Sequence, residues 1–222
     1  ATPVIRSYIL TDTQHVVPRP NISGQPIELT LTVFNNYGDL LGLSNTGGGI
    51  DVWEFHNSAD VIDVAPDGLY FDANQGTLSG APEEAQESTL YKIYAYNNNH
   101  GSSDSIDVYI TIKKLDQSIM FPALSGMKTT DTIGQGLGAT TDSGLPVVYR
   151  SATPTICEVV SGTVKPIAGK TGTCTIVATQ PGDDHTYNAA TAQSRSFTIV
   201  AGLQPPKLAL TTYNLYFKRG TS

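Results

Sequence analysis

The residues able to react or to hold a metal are few in this chain. Cys157 and Cys174 stand 17 positions apart, each inside a run of strand-forming residues. Two thiols at that spacing are either a redox or metal pair or the halves of a disulfide. A tetrahedral metal site needs closer ligands with third and fourth partners, and no histidine accompanies these cysteines. His15, His56, His100 and His185 lie far apart in turn-like stretches, with no His-x-x-x-His pair. A Gly-x-Ser-x-Gly elbow, which would expose a nucleophilic serine, does not occur.

Acids are more numerous. Asp51, Glu54, Asp60, Asp63 and Asp72 could supply the two carboxylates of a glycosidase, which must stand ~5–9.5 Å apart. Calcium is the better chemistry for loop acids, because it takes carboxylate and carbonyl oxygens. Its candidates are Asp51, Asp60, Asp63 and Asp72, with Asp183 and Asp184 further on. None follows EF-hand spacing, and solvated acidic loops are the plain alternative. Tyr91, Tyr94 and Tyr96 crowd one stretch and Tyr109 another, which would suit a sugar platform or ordinary strand packing. Asn21-Ile22-Ser23 is a glycosylation sequon. Lys92, Lys128 and Lys165 are the lysines that a Lys–Asn isopeptide link could use.

Whatever positions these groups is built from strands. The 222 residues are 39% hydrophobic and only 15% charged, with 27 Thr, 17 Ser, 21 Gly and 13 Pro. So low a charged fraction speaks against a solvated helical bundle or coiled coil. No stretch approaches 18 uncharged apolar residues, so membrane insertion is not expected. The net charge of −7 argues against a nucleic-acid surface, which needs clustered Lys and Arg. Ile27, Leu29, Leu31 and Val33 alternate with polar residues, and so do Ile106, Val108, Ile110 and Ile112. Period two of this kind predicts strands with one buried and one wet face. Val52, Trp53 and Phe55 predict another strand, and Leu90–Ala95 a fourth. Turn clusters separate them at 35–38, 46–49 and 97–101.

Two stretches resemble known repeats. Pro66-Asp67-Gly68-Leu69-Tyr70-Phe71-Asp72, followed by Gly76-Thr77-Leu78-Ser79-Gly80-Ala81-Pro82, is similar to cadherin-like bacterial Ig-type repeats. The later Ala95-Tyr96-Asn97 and Gly101-Ser102 match that pattern too. Leu69 and Phe71 would point inward, while Gly68, Gly76 and Gly80 would allow tight turns. The second stretch resembles cysteine-paired bacterial Ig-like repeats. Its marks are Ser143-Gly144-Leu145-Pro146, Cys157-Glu158-Val159, Gly172-Thr173-Cys174-Thr175-Ile176-Val177-Ala178 and Ser196-Phe197-Thr198-Ile199-Val200. The resemblance implies Ig-like sandwiches in a structural or adhesive setting, with no reaction and no cofactor. It also implies a Cys157–Cys174 disulfide tying neighbouring strands, and hence a secreted or cell-surface protein.

Charge divides the chain in the same places. Residues 1–114 hold 14 acids and 5 bases, a balance of −9; residues 115–201 hold 6 and 5, a balance of −1. Residues 202–222 carry only Lys207, Lys218 and Arg219, a balance of +3. The expected fold is all-β: Ig-like sandwiches at 1–114 and 115–201, then a strand-forming tail at 202–222. In that tail Leu208, Leu210, Tyr213, Leu215 and Phe217 are the candidate assembly residues. Three uses suit it: the start of a further repeat, a strand paired within its own chain, or a donor strand for a neighbouring subunit.

The function expected is structural. The chain would be a subunit of a filament or pilus-like polymer, or the stalk of an adhesin, associating head to tail. The alternative is a carbohydrate- or ligand-binding accessory module of a secreted enzyme or phage appendage, with a glycan or host-cell ligand.

Overall fold

A computed structural model of the chain describes residues 19–22, 24–98, 101–102 and 105–203. Among them every regular element is a strand. The strands form two β-sandwich units. The first extends to Asp116 and takes in Gly182–Ala189; the second comprises Gln117–Pro181 and the residues from Ala190 on.

In the first unit the strands are β1 (Ile27–Thr32), β2 (Val52–His56), β3 (Leu69–Asp72), β4 (Thr77–Gly80), β5 (Gln86–Asn97), β6 (Gly101–Ser102) and β7 (Ile106–Lys113). One layer has the order β1-β7-β5-β2, with β6 added on β5. β1 runs parallel to β7 over six residue pairs, from Ile27↔Val108 to Thr32↔Lys113. The other layer is the β3–β4 hairpin with residues 37–40 beside it, because Tyr37 and Gly80 exchange backbone hydrogen bonds and Leu40 N donates to Leu78 O. This is an Ig-type distribution of strands between two layers.

The alternation read in the sequence explains which faces meet. Leu31, Trp53, Phe55, Ile93, Ala95, Val108 and Ile110 turn inward and are buried. Phe71 and Tyr91 both stack on Phe55, with ring centroids 5.2 and 5.0 Å away. The repeat-like motif is the β3–β4 hairpin. Gly68 and Gly80 have φ of +83° and +123°, and a Cβ on Gly68 would lie 2.0 Å from the Ala81 carbonyl oxygen. Only glycine fits there.

The second unit contains β8 (Ile119–Met120), β9 (Met127–Lys128), β10 (Gln135–Gly136), β11 (Thr140–Thr141), β12 (Val148–Ser151), β13 (Cys157–Val160), β14 (Thr163–Pro166), β15 (Gly172–Thr179) and β16 (Gln193–Val200). Its main layer has the order β12-β15-β16-β9, again with the early strand β9 parallel to the last. The facing layer is β10-β14-β13, and β8 pairs with β11. Leu137, Val164, Ile176 and Ile199 form its fully buried centre. Ser161 and Gly162 both have positive φ and make the two-residue turn between β13 and β14.

Gly182–Ala189, which the sequence reading assigns to the second sandwich, groups with the first unit. Hydrogen bonds hold it there: Ala85 N donates to His185 O, Leu115 N to Thr186 O, and Asn188 N to Leu115 O. No periodicity in this stretch announces those partners.

Candidate functional site

Cys157 and Cys174 are joined, with Cα atoms 5.8 Å apart and both side chains fully buried. Cys157 belongs to β13 and Cys174 to β15, strands of opposite layers. The bridge therefore staples the two sheets through the core and does not tie neighbouring strands. Sequence spacing cannot distinguish these cases, because both cysteines sit at inward positions of their strands.

The densest chemistry lies on the outer face of the first unit, where β2 meets β5. Period two puts Glu54 and His56 on one face of β2, and the register sets Glu54 opposite Tyr94 and Val52 opposite Tyr96. His56 is not a loop histidine. It is buried, its Nε2 3.0 Å from Glu54 Oε2 and its Nδ1 2.8 Å from Asp60 Oδ1. The Tyr94 ring lies 4.7 Å from the imidazole, and Tyr96 lies 6.3 Å from Tyr94. Burial pushes the Tyr96 hydroxyl above its ordinary range, and the charge of Glu54 and a hydrogen bond to it add to the effect. One row on, Lys92 Nζ meets Asp107 Oδ1 at 2.7 Å, and that hydrogen bond raises the lysine.

This cluster holds a base between two acids but brings no nucleophile to it. Both ring nitrogens face carboxylates, and among the described residues no hydroxyl or thiol hydrogen-bonds His56. Its evident work is to fasten the loop after β2. Asn57 Oδ1 accepts from the amides of Ala59 and Val61, and Ile62 bridges back to His56. Glu54, His56, Tyr94 and Tyr96 stand apart in the sequence; the alternation on two paired strands is the signal that joins them.

No protein-family model matches the chain. No curated protein sequence matches it either. Solved structures do. The chain is similar to human protocadherin-24 EC1-2, at 13% identity over 84% of this chain and 99% of that one, with a TM-score of 0.37. It is similar to the titin domains z1z2 in complex with telethonin, at 11% identity over 83% and 96%, with a TM-score of 0.49. It is also similar to the insect immune protein hemolin, at 10% identity over 86% and 49%, with a TM-score of 0.41.

The calcium candidates serve turns. Asp51 Oδ2 accepts from Asn98 N, and Asp72 Oδ1 from the amides of Asn74 and Gln75. Asp60 and Asp63 both adopt positive φ in the loop after β2. Asp183 accepts from the Thr186 hydroxyl and from the amides of His185, Thr186 and Tyr187, which together hold its carboxyl far below the usual range. Asp184 lines an open groove of about 1020 Å³ with Thr32, Gln86, Lys113 and Asn188. Among the described residues no three of His, Cys, Asp or Glu converge as a metal would require.

The tyrosines separate by parity. Tyr91 faces inward and is buried in the ring stack, whereas Tyr94, Tyr96 and Tyr109 are half-buried on the outer face. Lys92 faces an aspartate and not an asparagine; Lys128 is exposed and Lys165 half-buried. His185 is exposed, with Nδ1 3.5 Å from Glu84 Oε2. Asn21 is exposed, and its sequon partner Ser23 lies outside the described residues. So do His15, His100 and the tail positions Leu208, Leu210, Tyr213, Leu215 and Phe217. No helix among the described residues is long and apolar enough to cross a membrane.

Proposed function

We propose that the chain is a non-enzymatic, load-bearing module of the cell surface or extracellular space, a subunit of a filament or the stalk of an adhesin. The observation that carries this reading is the parallel pairing of an early strand with the last strand in each unit. When a parallel pair is pulled from its outer ends, its ladder is loaded in shear, and many hydrogen bonds must yield together. An antiparallel pair would unzip one bond at a time. The first unit presents six such residue pairs and the second two. The second unit adds the Cys157–Cys174 bridge, which removes the intervening chain from extension and suits an oxidising compartment.

Assembly through the tail belongs to the same reading. Alternating apolar residues at 208–217 favour an added strand, and the contrast between −9 in residues 1–114 and +3 in residues 202–222 would steer one copy's tail to the next. Heterologous contacts of this kind grow as open filaments where their rotation does not close into a ring.

Single-molecule extension of the full chain tests the mechanical reading. Two rupture events are expected. Reduction should lengthen the second unit's extension by roughly 50 Å, the reach of the 17-residue span between the cysteines. Unfolding of both units at forces typical of unzipping would refute the load-bearing role.

A further inference from the structure

The flank of the first unit where β2 gives way to β3 combines a free strand edge, an open groove and exposed apolar side chains. Gly80 and Leu78 direct their backbone groups to residues 37–40, so β3 bonds β4 through Tyr70 and Asp72. The Leu69 carbonyl and the Phe71 amide and carbonyl consequently face away from the sheet, and among the described residues nothing pairs with them. The neighbouring edge of β2 is sealed, since Asp63 N donates to Phe55 O and Trp53 N to Ala73 O. An open groove of about 360 Å³ runs beside β3, lined by Asp63, Ala65, Leu69, Tyr70 and Phe71 among others. Val61, Ile62, Val64 and Tyr70 on this flank are each more than two-fifths exposed. An unpaired edge beside exposed aliphatic side chains is a template for another strand.

The geometry points to this edge of β3 as the seat for the tail segment Leu208–Phe217 of a second copy. The inference rests on the assembly reading above and names its acceptor. Two features select the occupant. The tail's alternation offers one mostly apolar face to the aliphatic side chains, and Lys207, Lys218 and Arg219 bracket it. The flank supplies the opposite sign in Asp60, Asp63, Asp67 and Asp72. The corresponding strand of the second unit, β13, is a poorer seat, with Glu158 as its one acid and Val160 as its exposed aliphatic side chain. Pairing covers the four residues of β3, so the remaining tail residues contribute through side chains.

Amide hydrogen exchange on the full chain, followed as the protein is diluted, tests the seat. The Phe71 amide should exchange about tenfold more slowly at assembling concentration and return to its free rate on dilution. The tail variant Lys218→Glu with Arg219→Glu should lose both the protection and the assembly seen by sedimentation. The flank variant Asp67→Lys should weaken both while leaving the Trp53 fluorescence of the folded unit unchanged. Concentration-dependent protection at another strand, abolished by the tail variant, would overturn the seat and leave tail-driven assembly standing. Protection of β3 that persists on dilution but disappears in the tail variant would assign the edge to the chain's own tail. Assembly unaffected by the tail variant, or no assembly at all, would remove the assembly reading and the seat together.

Discussion

In the first sandwich the two layers meet through rings: Phe71 of one layer and Tyr91 of the other stack on Phe55. In the second they meet through a covalent bridge from β13 to β15. The strands that pair antiparallel with the last strand of each unit, β5 and β15, read alike, Tyr91-x-Ile93-x-Ala95 against Cys174-x-Ile176-x-Ala178, and every one of those six inward residues is buried. One strand order therefore accepts two means of closure. The cores suggest why. Among the described residues the first cluster buries sixteen apolar side chains, with four aromatic rings, and the second buries eleven, with two rings. A core with less apolar area gains more from a covalent strap.

The largest effect is expected on removing the ring at the centre of the stack. Phe55→Ala should destabilise the first unit by about 3–5 kcal/mol. Trp53, the single tryptophan of the chain, reports that unit's denaturant midpoint. Replacing both cysteines by alanine should destabilise the second unit by about 3 kcal/mol, read by circular dichroism, with the Trp53 transition unmoved. A matching shift of the Trp53 midpoint would mean the closures are not independent.

The two hairpins sharpen the contrast at smaller scale. Gly76, with φ of +69°, sits where a Cβ would lie 2.6 Å from the Trp53 indole, whereas a Cβ on Gly162 would meet nothing within 4 Å. Gly76→Ala should therefore cost about 2–3 kcal/mol, and Gly162→Ala only the roughly 1 kcal/mol of left-handed strain. Urea titration of both variants ranks them, and equal losses would contradict the packing argument.

Acid should weaken both units most gently. Asp183 in the first unit is depressed by the Thr186 hydroxyl and nearby amides, and Asp142 in the second by the amide and hydroxyl of Ser118. A depressed carboxyl contributes stability that is fully present above its unfolded value of about 3.9 and fades as pH falls toward the folded one. Thr186→Val should flatten that acid dependence in the first unit alone. Lys92 works in the opposite sense: raised by Asp107, its contribution is present below the ordinary lysine value and lost as pH climbs through the raised one. Asp107→Asn should remove this alkaline loss, measured as midpoint against pH.

Much of the scaffold was legible because burial on one face imposes period two. Ile27 to Val33 and Ile106 to Ile112 announce β1 and β7 without reference to anything distant. The glycines of the repeat-like motif likewise forecast a hairpin whose backbone admits no Cβ. The candidate site was less legible. Parity alone separates buried Tyr91 from outward Tyr94 and Tyr96 and sets Glu54 beside His56, yet the approach of the tyrosines depends on the β2–β5 register and that of Asp60 on a loop that folds back. Asp72 and Asp183 carry the composition of calcium ligands, but each carboxylate is taken by amides two to four residues on, and that of Asp51 by the amide of Asn98, far along the chain.

Residue order alone is enough to make the chain all β, to give its strands one apolar face, and to run its charge from an acidic first half to a basic end. Those properties are local, set by side-chain alternation and by residue type. The tertiary arrangement is what makes the cysteines link opposite layers, gives Gly182–Ala189 to the first unit and, among the described residues, leaves the edge of β3 open while that of β2 is closed. Each of these depends on which strands become neighbours, and a period-two pattern specifies the face a residue takes without specifying the partner it meets.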